Sequence, residues 1–171
     1  MKIKLIYGTD TNNTEYVVDT YLMNELESIG DLDIKNVNEI SSEDWDGSDL
    51  FVLGIPTWYD GELQSDWEEY FEEFKTIDFT GKKVAIFGLG DQLGYEEWFC
   101  DGIGILAKEI LKNGGTVIGY TTKDESYDFE TTPKSILKDD VFYGLCIDED
   151  NQGELTQERL KNWVEQLKLE Y

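Results

Sequence analysis

No histidine occurs anywhere in the 171 residues. That absence removes imidazole general bases, Ser–His and Cys–His nucleophile pairs and histidine metal sites together. Cysteine is nearly absent too: Cys100 and Cys146 share no C-x-x-C spacing and read as reduced core thiols rather than a disulfide framework. Iron–sulfur ligation typically takes four cysteines per cluster, so any redox chemistry here needs an organic cofactor. Positive charge is scarce, with 14 Lys and Arg against 38 Asp and Glu and a formal net charge of −24. A field of that sign repels nucleic acid and anionic membranes and attracts a basic face on another protein. Solubility alone is the plainer reading of the same acidity. Long apolar runs are missing as well. The first, Ile3–Tyr7, is broken by Lys4 and closes at Gly8, too early for an export signal, and none approaches the ~20 residues that span a bilayer. The chain therefore reads as a soluble, cytoplasmic protein, long enough for one domain over 1–171 with a sizeable core.

What is present alternates. Short apolar runs at Ile3–Tyr7, Leu50–Ile55, Val84–Phe87, Val117–Tyr120 and Phe142–Ile147 are bounded by Gly, Pro or Asp, as strands buried on both faces should be. Leu32, Ile34 and Val37 form a weaker outer strand. Between the runs, Tyr16, Val17, Tyr21, Leu22, Leu26 and Ile29 repeat at helical spacing, stopped by Gly30. Trp67, Tyr70, Phe71 and Phe74 mark a second helix. Ile103, Leu106, Ala107, Ile110 and Leu111 mark a third, closed by Gly114 and Gly115. Leu155, Leu160, Trp163, Val164 and Leu167 give a C-terminal helix, with Thr156 as its expected cap. Alternating strands and helices imply an α/β fold with a mainly parallel sheet covered on both faces. One stretch breaks the rhythm: 121–141 is polar, holds Pro133 and shows no convincing helix, which reads as an insertion splitting the last strand position.

In open α/β sheets, ligands bind beyond the carboxyl ends of the strands, where strand order reverses. Three loops fall there. Gly8-Thr9-Asp10-Thr11-Asn12-Asn13-Thr14 leaves the first strand and enters a helix, offering hydroxyls, an amide and backbone N–H groups to an anion. It lacks the G-K-[ST] of a nucleoside triphosphate loop, so it suits a single phosphomonoester. Thr and Asn are equally good turn and cap residues, and the loop alone supports either use. Pro56-Thr57-Trp58-Tyr59-Asp60-Gly61-Glu62-Leu63 sets an aromatic pair beside a glycine, which suits a planar ligand, although a lone Trp more often packs on its own domain. Gly88-Leu89-Gly90-Asp91-Gln92-Leu93-Gly94-Tyr95 brings backbone close to a flat ring, with Tyr95 able to cover it. Its G-x-G-x-x-x-G spacing is not a dinucleotide fingerprint.

Together the three loops resemble the flavodoxin family, itself the type case of the strand-end rule with flavin mononucleotide (FMN) at the switch point. The first loop is similar to the family's T-x-T-G-N-T pattern, with Asn12 where Gly is usual. P-T-W…G-E-L-Q-S-D-W and G-D-Q-L-G-Y follow in the family's order, and the likeness continues through L-C-I-D-E-D-N-Q from Leu145 to Gln152, so it spans essentially the whole chain. The insertion is the mark of long-chain members. The resemblance implies a doubly wound, five-stranded parallel sheet of order 2-1-3-4-5. It implies FMN held by Thr9, Asp10, Thr11, Asn12, Asn13 and Thr14 at the phosphate. Pro56, Thr57, Trp58, Tyr59, Gly61, Leu89, Gly90, Asp91 and Tyr95 would surround the ring, with Trp58 and Tyr95 on its faces and the Tyr59 carbonyl near N5.

The function so implied is a low-potential one-electron carrier that works between redox proteins in place of ferredoxin. It needs no catalytic residue and no metal. No Lys or Arg occurs in the three loops to relieve negative charge on a reduced ring. Partners expected by resemblance carry basic docking faces: ferredoxin–NADP⁺ reductase, photosystem I or another ferredoxin-dependent reductase. A monomer is expected. The alternative is an FMN-dependent NAD(P)H:quinone reductase of the same fold, which would be expected to offer basic residues to the nicotinamide cofactor's phosphates. A phosphorylation receiver domain shares the fold but needs an Asp ending the third strand, where Ile55-Pro56-Thr57 stands.

Overall fold

The computed structural model describes residues 1–171. From the N-terminus run β1 (Lys2–Tyr7), α1 (Asn13–Val17), a π-helical stretch over Val18–Leu22, α2 (Met23–Glu27), β2 (Asp31–Asn36) and β3 (Leu50–Trp58). Then come β4 (Glu62–Leu63), α3 (Ser65–Phe74), β5 (Lys83–Leu89), α4 (Asp101–Lys112) and β6 (Thr116–Ile118). Three short strands follow, β7 (Thr121–Thr122), β8 (Ile136–Lys138) and β9 (Val141–Phe142), before β10 (Leu145–Ile147) and α5 (Glu149–Glu170).

The central sheet has the order β10-β5-β3-β1-β2, with every neighbour in that path parallel. The expected 2-1-3-4-5 arrangement is therefore present. Its last position is shared between two strands: β6 pairs Lys83–Ala85 of β5 and β10 pairs Phe87–Leu89. The insertion sits between them and is not structureless, since β7, β9 and β8 form a small antiparallel sheet of their own. The apolar run Phe142–Ile147 is correspondingly divided, Phe142 joining the small sheet and Leu145–Ile147 the large one.

Alternation along β3 shows why the sheet must be covered twice. Leu50 and Val52 face the layer of α1, α2 and α5, in a core with Val17, Leu22, Leu26, Leu160 and Trp163. Phe51, Leu53 and Ile55 face α3 and α4, in a core with Trp67, Phe74, Ile103 and Leu106. All are buried, and each such large apolar side chain contributes about 1.5–3 kcal/mol on leaving water.

Three expectations need correction. β3 runs three residues past Ile55 through Pro56 and Thr57 to Trp58, then folds back as the β4 hairpin. Pro56 is tolerated because it lies beyond the β1 ladder, which ends at the Tyr7–Gly54 pair. The C-terminal helix begins at Glu149, not near Thr156, because the Asp148 side chain accepts from the Asn151 N–H and opens it early. Thr156 lies inside it, buried, donating to Glu149 Oε2. Non-helical angles at Gln152 kink that first turn. Val37 falls outside β2, in a short 3₁₀ turn over Val37–Glu39.

Candidate functional site

At the carboxyl ends of β1, β3 and β5 lies a cleft of about 870 Å³, its open mouth included. All three nominated loops meet there. Thr9, Asp10, Thr11, Asn13 and Thr14 line it from the first; Pro56, Thr57, Trp58 and Tyr59 from the second; Leu89, Gly90, Asp91 and Tyr95 from the third. Asn12 and Gly61 do not line it; both shape backbone instead.

Asn12 takes left-handed angles (φ 63°, ψ 7°) immediately before α1, and its carbonyl accepts from the Tyr16 N–H at 2.8 Å. Asn tolerates that region better than most residues, which explains how it stands where Gly is usual. The turn starts α1 at Asn13, so the helix's first residues, Asn13 and Thr14, line the cleft. Two hydroxyls there break an ordinary rule. Thr9 Oγ1 and Thr14 Oγ1 are buried and have no hydrogen-bond partner within the protein, although buried polar atoms are normally satisfied. A phosphate oxygen is the acceptor that such donors fit.

The second loop is held from below. Thr57 Oγ1 accepts from the Gly102 N–H at 3.0 Å, fastening the end of β3 to the first turn of α4. Trp58 Nε1 is a third buried polar atom without a partner. The Trp58 and Tyr59 rings lie 6.2 Å apart at 47°, and Tyr59 (φ 42°) is 67% exposed. Gly61 has φ 84°, a conformation that a side chain would strain.

Asp91 organises the third loop. Its Oδ1 accepts from the Leu93 and Gly94 N–H groups at 3.0 and 2.8 Å and from Asn151 Nδ2 at 2.9 Å. Partial burial works to raise this carboxyl, but those bonds outweigh it and hold it below the usual range. The Gly90 N–H donates to the Ile147 carbonyl at 3.0 Å, continuing the β5–β10 ladder into the loop. Tyr95 is 47% exposed at the rim.

Four lining residues went unnominated: Trp98, Phe99, Glu149 and Asp150. Phe99 is buried and packs its ring 5.3 Å from Phe129 of the insertion. Glu149 and Asp150 follow β10, so the strand-end rule applied to the fifth strand position would have found them. The lining carries the carboxylates of Asp10, Asp91, Glu149 and Asp150 and no Lys or Arg. An apolar, aromatic end and a hydroxyl-lined end thus share one acidic cleft, a donor set that fits a planar ring carrying one phosphate.

The family model for flavodoxin matches residues 5–163. A flavodoxin of Haemophilus influenzae is 45% identical over 168 residues, covering 96% of this chain and 92% of that protein. One from Trichodesmium erythraeum is 45% identical over 171 residues, covering 99% and 98%. The structure of Fusobacterium nucleatum flavodoxin bound to flavin mononucleotide superposes with a TM-score of 0.91 at 35% identity, covering 99% of this chain and 98% of that one. The chain belongs to the flavodoxin family.

Proposed function

We propose that the cleft binds one FMN and that the chain is a low-potential one-electron carrier between redox proteins. The observation that carries the reading is the pair of buried, unpartnered hydroxyls on Thr9 and Thr14 at the α1 N-terminus, in the cleft that Trp58 and Tyr95 also line. When bound, FMN supplies the electron chemistry, taking up and releasing electrons one at a time. The residues supply binding and electrostatics. Thr9, Asp10, Thr11, Asn13, Thr14 and the Asn12 turn would hold the phosphate through hydroxyls and backbone N–H groups. Trp58 and Tyr95 would cover the ring faces, while Tyr59, Gly61, Gly90 and Asp91 would offer backbone groups to its polar edge. Pro56, Thr57 and Leu89 would shape the floor.

Charge sets the direction of the potential. A carboxylate about 8 Å from the ring opposes an added negative charge by roughly 2 kcal/mol at an effective dielectric of ~20, before salt screening. With Asp91, Glu149 and Asp150 among the lining residues beyond the phosphate loop and no Lys or Arg, the protein disfavours the more negative ring and makes it a stronger electron donor.

Flavodoxins work with redox partner proteins. For this chain the docking face we assign is the exposed acidic rim of Asp60, Glu62, Glu68, Glu69, Glu96 and Glu97. It suits a basic face such as that expected of ferredoxin–NADP⁺ reductase, photosystem I or another ferredoxin-dependent reductase. No helix is long and apolar enough to cross a membrane. The proposed working form is a cytoplasmic, single-domain monomer. No observation favours a quinone reductase.

The test is the flavin itself. Protein purified from a flavin-sufficient host should be yellow and release FMN, one per chain, on denaturation. Release of FAD as the main flavin, or none after reconstitution with FMN, would refute the assignment.

A further inference from the structure

Gln64 is wholly buried just outside the cleft. It is the N-cap of α3, where its side-chain Oε1 accepts from the Trp67 N–H at 3.2 Å. The amide nitrogen is thereby turned the other way. Nε2 donates to Asp10 Oδ1 at 2.8 Å and to Asp66 Oδ2 at 2.9 Å. Only the NH₂ end of an amide can serve two carboxylates, so chemistry fixes which way the group points. Asp10 Oδ1 also accepts from Ser65 Oγ at 2.6 Å, and Oδ2 from the Ser65 N–H at 3.5 Å.

Asp10 belongs to the same loop as the unpartnered hydroxyls of Thr9 and Thr14 and lines the cleft with them. A carboxylate in an anion cradle is a conflict: left free, it would oppose a dianionic phosphate. The structure ties it back. Room for the tie depends on Gly8, where a Cβ would collide with the Gln64 amide and stand 2.8 Å from Trp67 Cδ1.

We infer that Gln64 is a positioning residue for the phosphate end of the cleft, holding the Asp10 carboxylate against the start of α3 so that the loop presents donors rather than free negative charge. The inference rests on the FMN reading and adds a specificity to it: Gln64 acts on flavins that carry a phosphate and not on riboflavin. The same bonds leave a signature in the protein without ligand. Burial works to raise the Asp10 carboxyl, but the bonds from Ser65 and Gln64 outweigh it and hold it below the ordinary range.

The experiment titrates apoprotein with FMN and with riboflavin, read by quenching of flavin fluorescence. Gln64→Met keeps the side chain's length and removes the donor. FMN affinity should fall about tenfold, the scale of one charge-assisted hydrogen bond, with riboflavin affinity unchanged. Adding Asp10→Asn removes the charge that Gln64 restrains and should recover most of that loss. Ser65→Ala removes the second donor from an exposed position without disturbing the core, and should show a smaller loss of the same phosphate-selective kind. In apoprotein, carboxyl NMR should find Asp10 titrating at higher pH in Gln64→Met than in the unaltered chain. Equal loss of both flavins, or a loss that persists with Asn at position 10, would reduce Gln64 to a helix cap and overturn the inference. Failure of the unaltered chain to bind FMN is a separate result and sinks the FMN reading instead.

Discussion

Gly61 and Gly81 offer a matched pair of substitutions. Both have left-handed backbone, φ 84° and 76°. They differ in surroundings. A Cβ on Gly61 would stand 2.6 Å from Asp101 Oδ2 and 2.9 Å from Trp98 Cδ1, whereas nothing lies within 4 Å of one on Gly81. Asp101 cannot swing aside. It is 1% exposed, its Oδ1 accepts from the Lys134 N–H at 2.5 Å, and Oδ2 lies 3.5 Å from Lys134 Nζ. Gly81→Ala should therefore cost only the backbone penalty, about 1–2 kcal/mol. Gly61→Ala should add about 1–3 kcal/mol of overpacking to the same penalty. Urea unfolding of both apoproteins measures the difference directly. In a chain of this size, each 1 kcal/mol corresponds to about 2–4 °C in Tm, so thermal melts give an independent reading. FMN affinity separates the pair further. Gly61 closes the turn that carries Trp58 and Tyr59, while Gly81 precedes the amino end of β5, at the far side of the sheet. Gly61→Ala should lose affinity and Gly81→Ala should keep it. Equal destabilisation by the two would show that the Asp101 contact carries no weight.

Trp58→Ala and Tyr95→Ala should each weaken FMN binding by about 0.5–1.5 kcal/mol beyond the lost burial, and make the more reducing potential less negative; unchanged values in both variants would mean the ring lies elsewhere. Electron transfer from a basic reductase should slow as salt rises, because steering is screened over about 8–10 Å. In stopped-flow, Glu62→Lys and Glu96→Lys should lower the association rate without altering the first-order step; a flat salt response with wild-type behaviour in both would leave acidity as a solubility device. Asp44 contributes to the acid limb of stability. Burial works to raise its carboxyl, but hydrogen bonds from Lys35 at 2.6 Å and Lys4 at 2.9 Å outweigh it and hold it well below the usual range. A depressed carboxyl stabilises the fold above its unfolded pKa of about 3.9 and loses that contribution as pH falls below it. Asp44→Asn should therefore lower stability at pH 7 and flatten its decline below about pH 4; an unchanged acid limb would contradict the assignment.

The inner strands were legible because burial on both faces leaves them almost wholly apolar, the ion-paired Lys4 of β1 excepted, and glycine or proline punctuates their ends. The strand-end loops followed from that register, which is why the ends of β1, β3 and β5 yielded nearly the whole lining. Glu149 and Asp150 were missed for a local reason. The helix after the fifth strand position was read from its apolar periodicity, which starts at Leu155, whereas its first turn is polar and held by Asp148. The strands of the insertion are two or three residues long, too short for an alternation to declare itself. Trp98 and Phe99 lie further along the same β5–α4 connection, past Tyr95 where the glycine-rich stretch ends, and Phe99 owes its place to Phe129 and Tyr127, contacts remote in sequence.

The shared fifth position of the sheet also bears on what the molecule avoids. An open sheet ends in two rows of backbone donors and acceptors, each a template on which another chain can pair. Here one border is built from β6 and β10, three residues apiece, with the small antiparallel sheet inserted between them in sequence. Neither piece offers a continuous ladder to a stranger. The opposite border is β2, where Asp31, Asp33 and Lys35 place a charge at every second residue. A second copy adding there in parallel and in register would set Asp31 on Asp31, Asp33 on Asp33 and Lys35 on Lys35. The same division that seats a wall of the cleft thus leaves neither border of the sheet with a long, uncharged ladder.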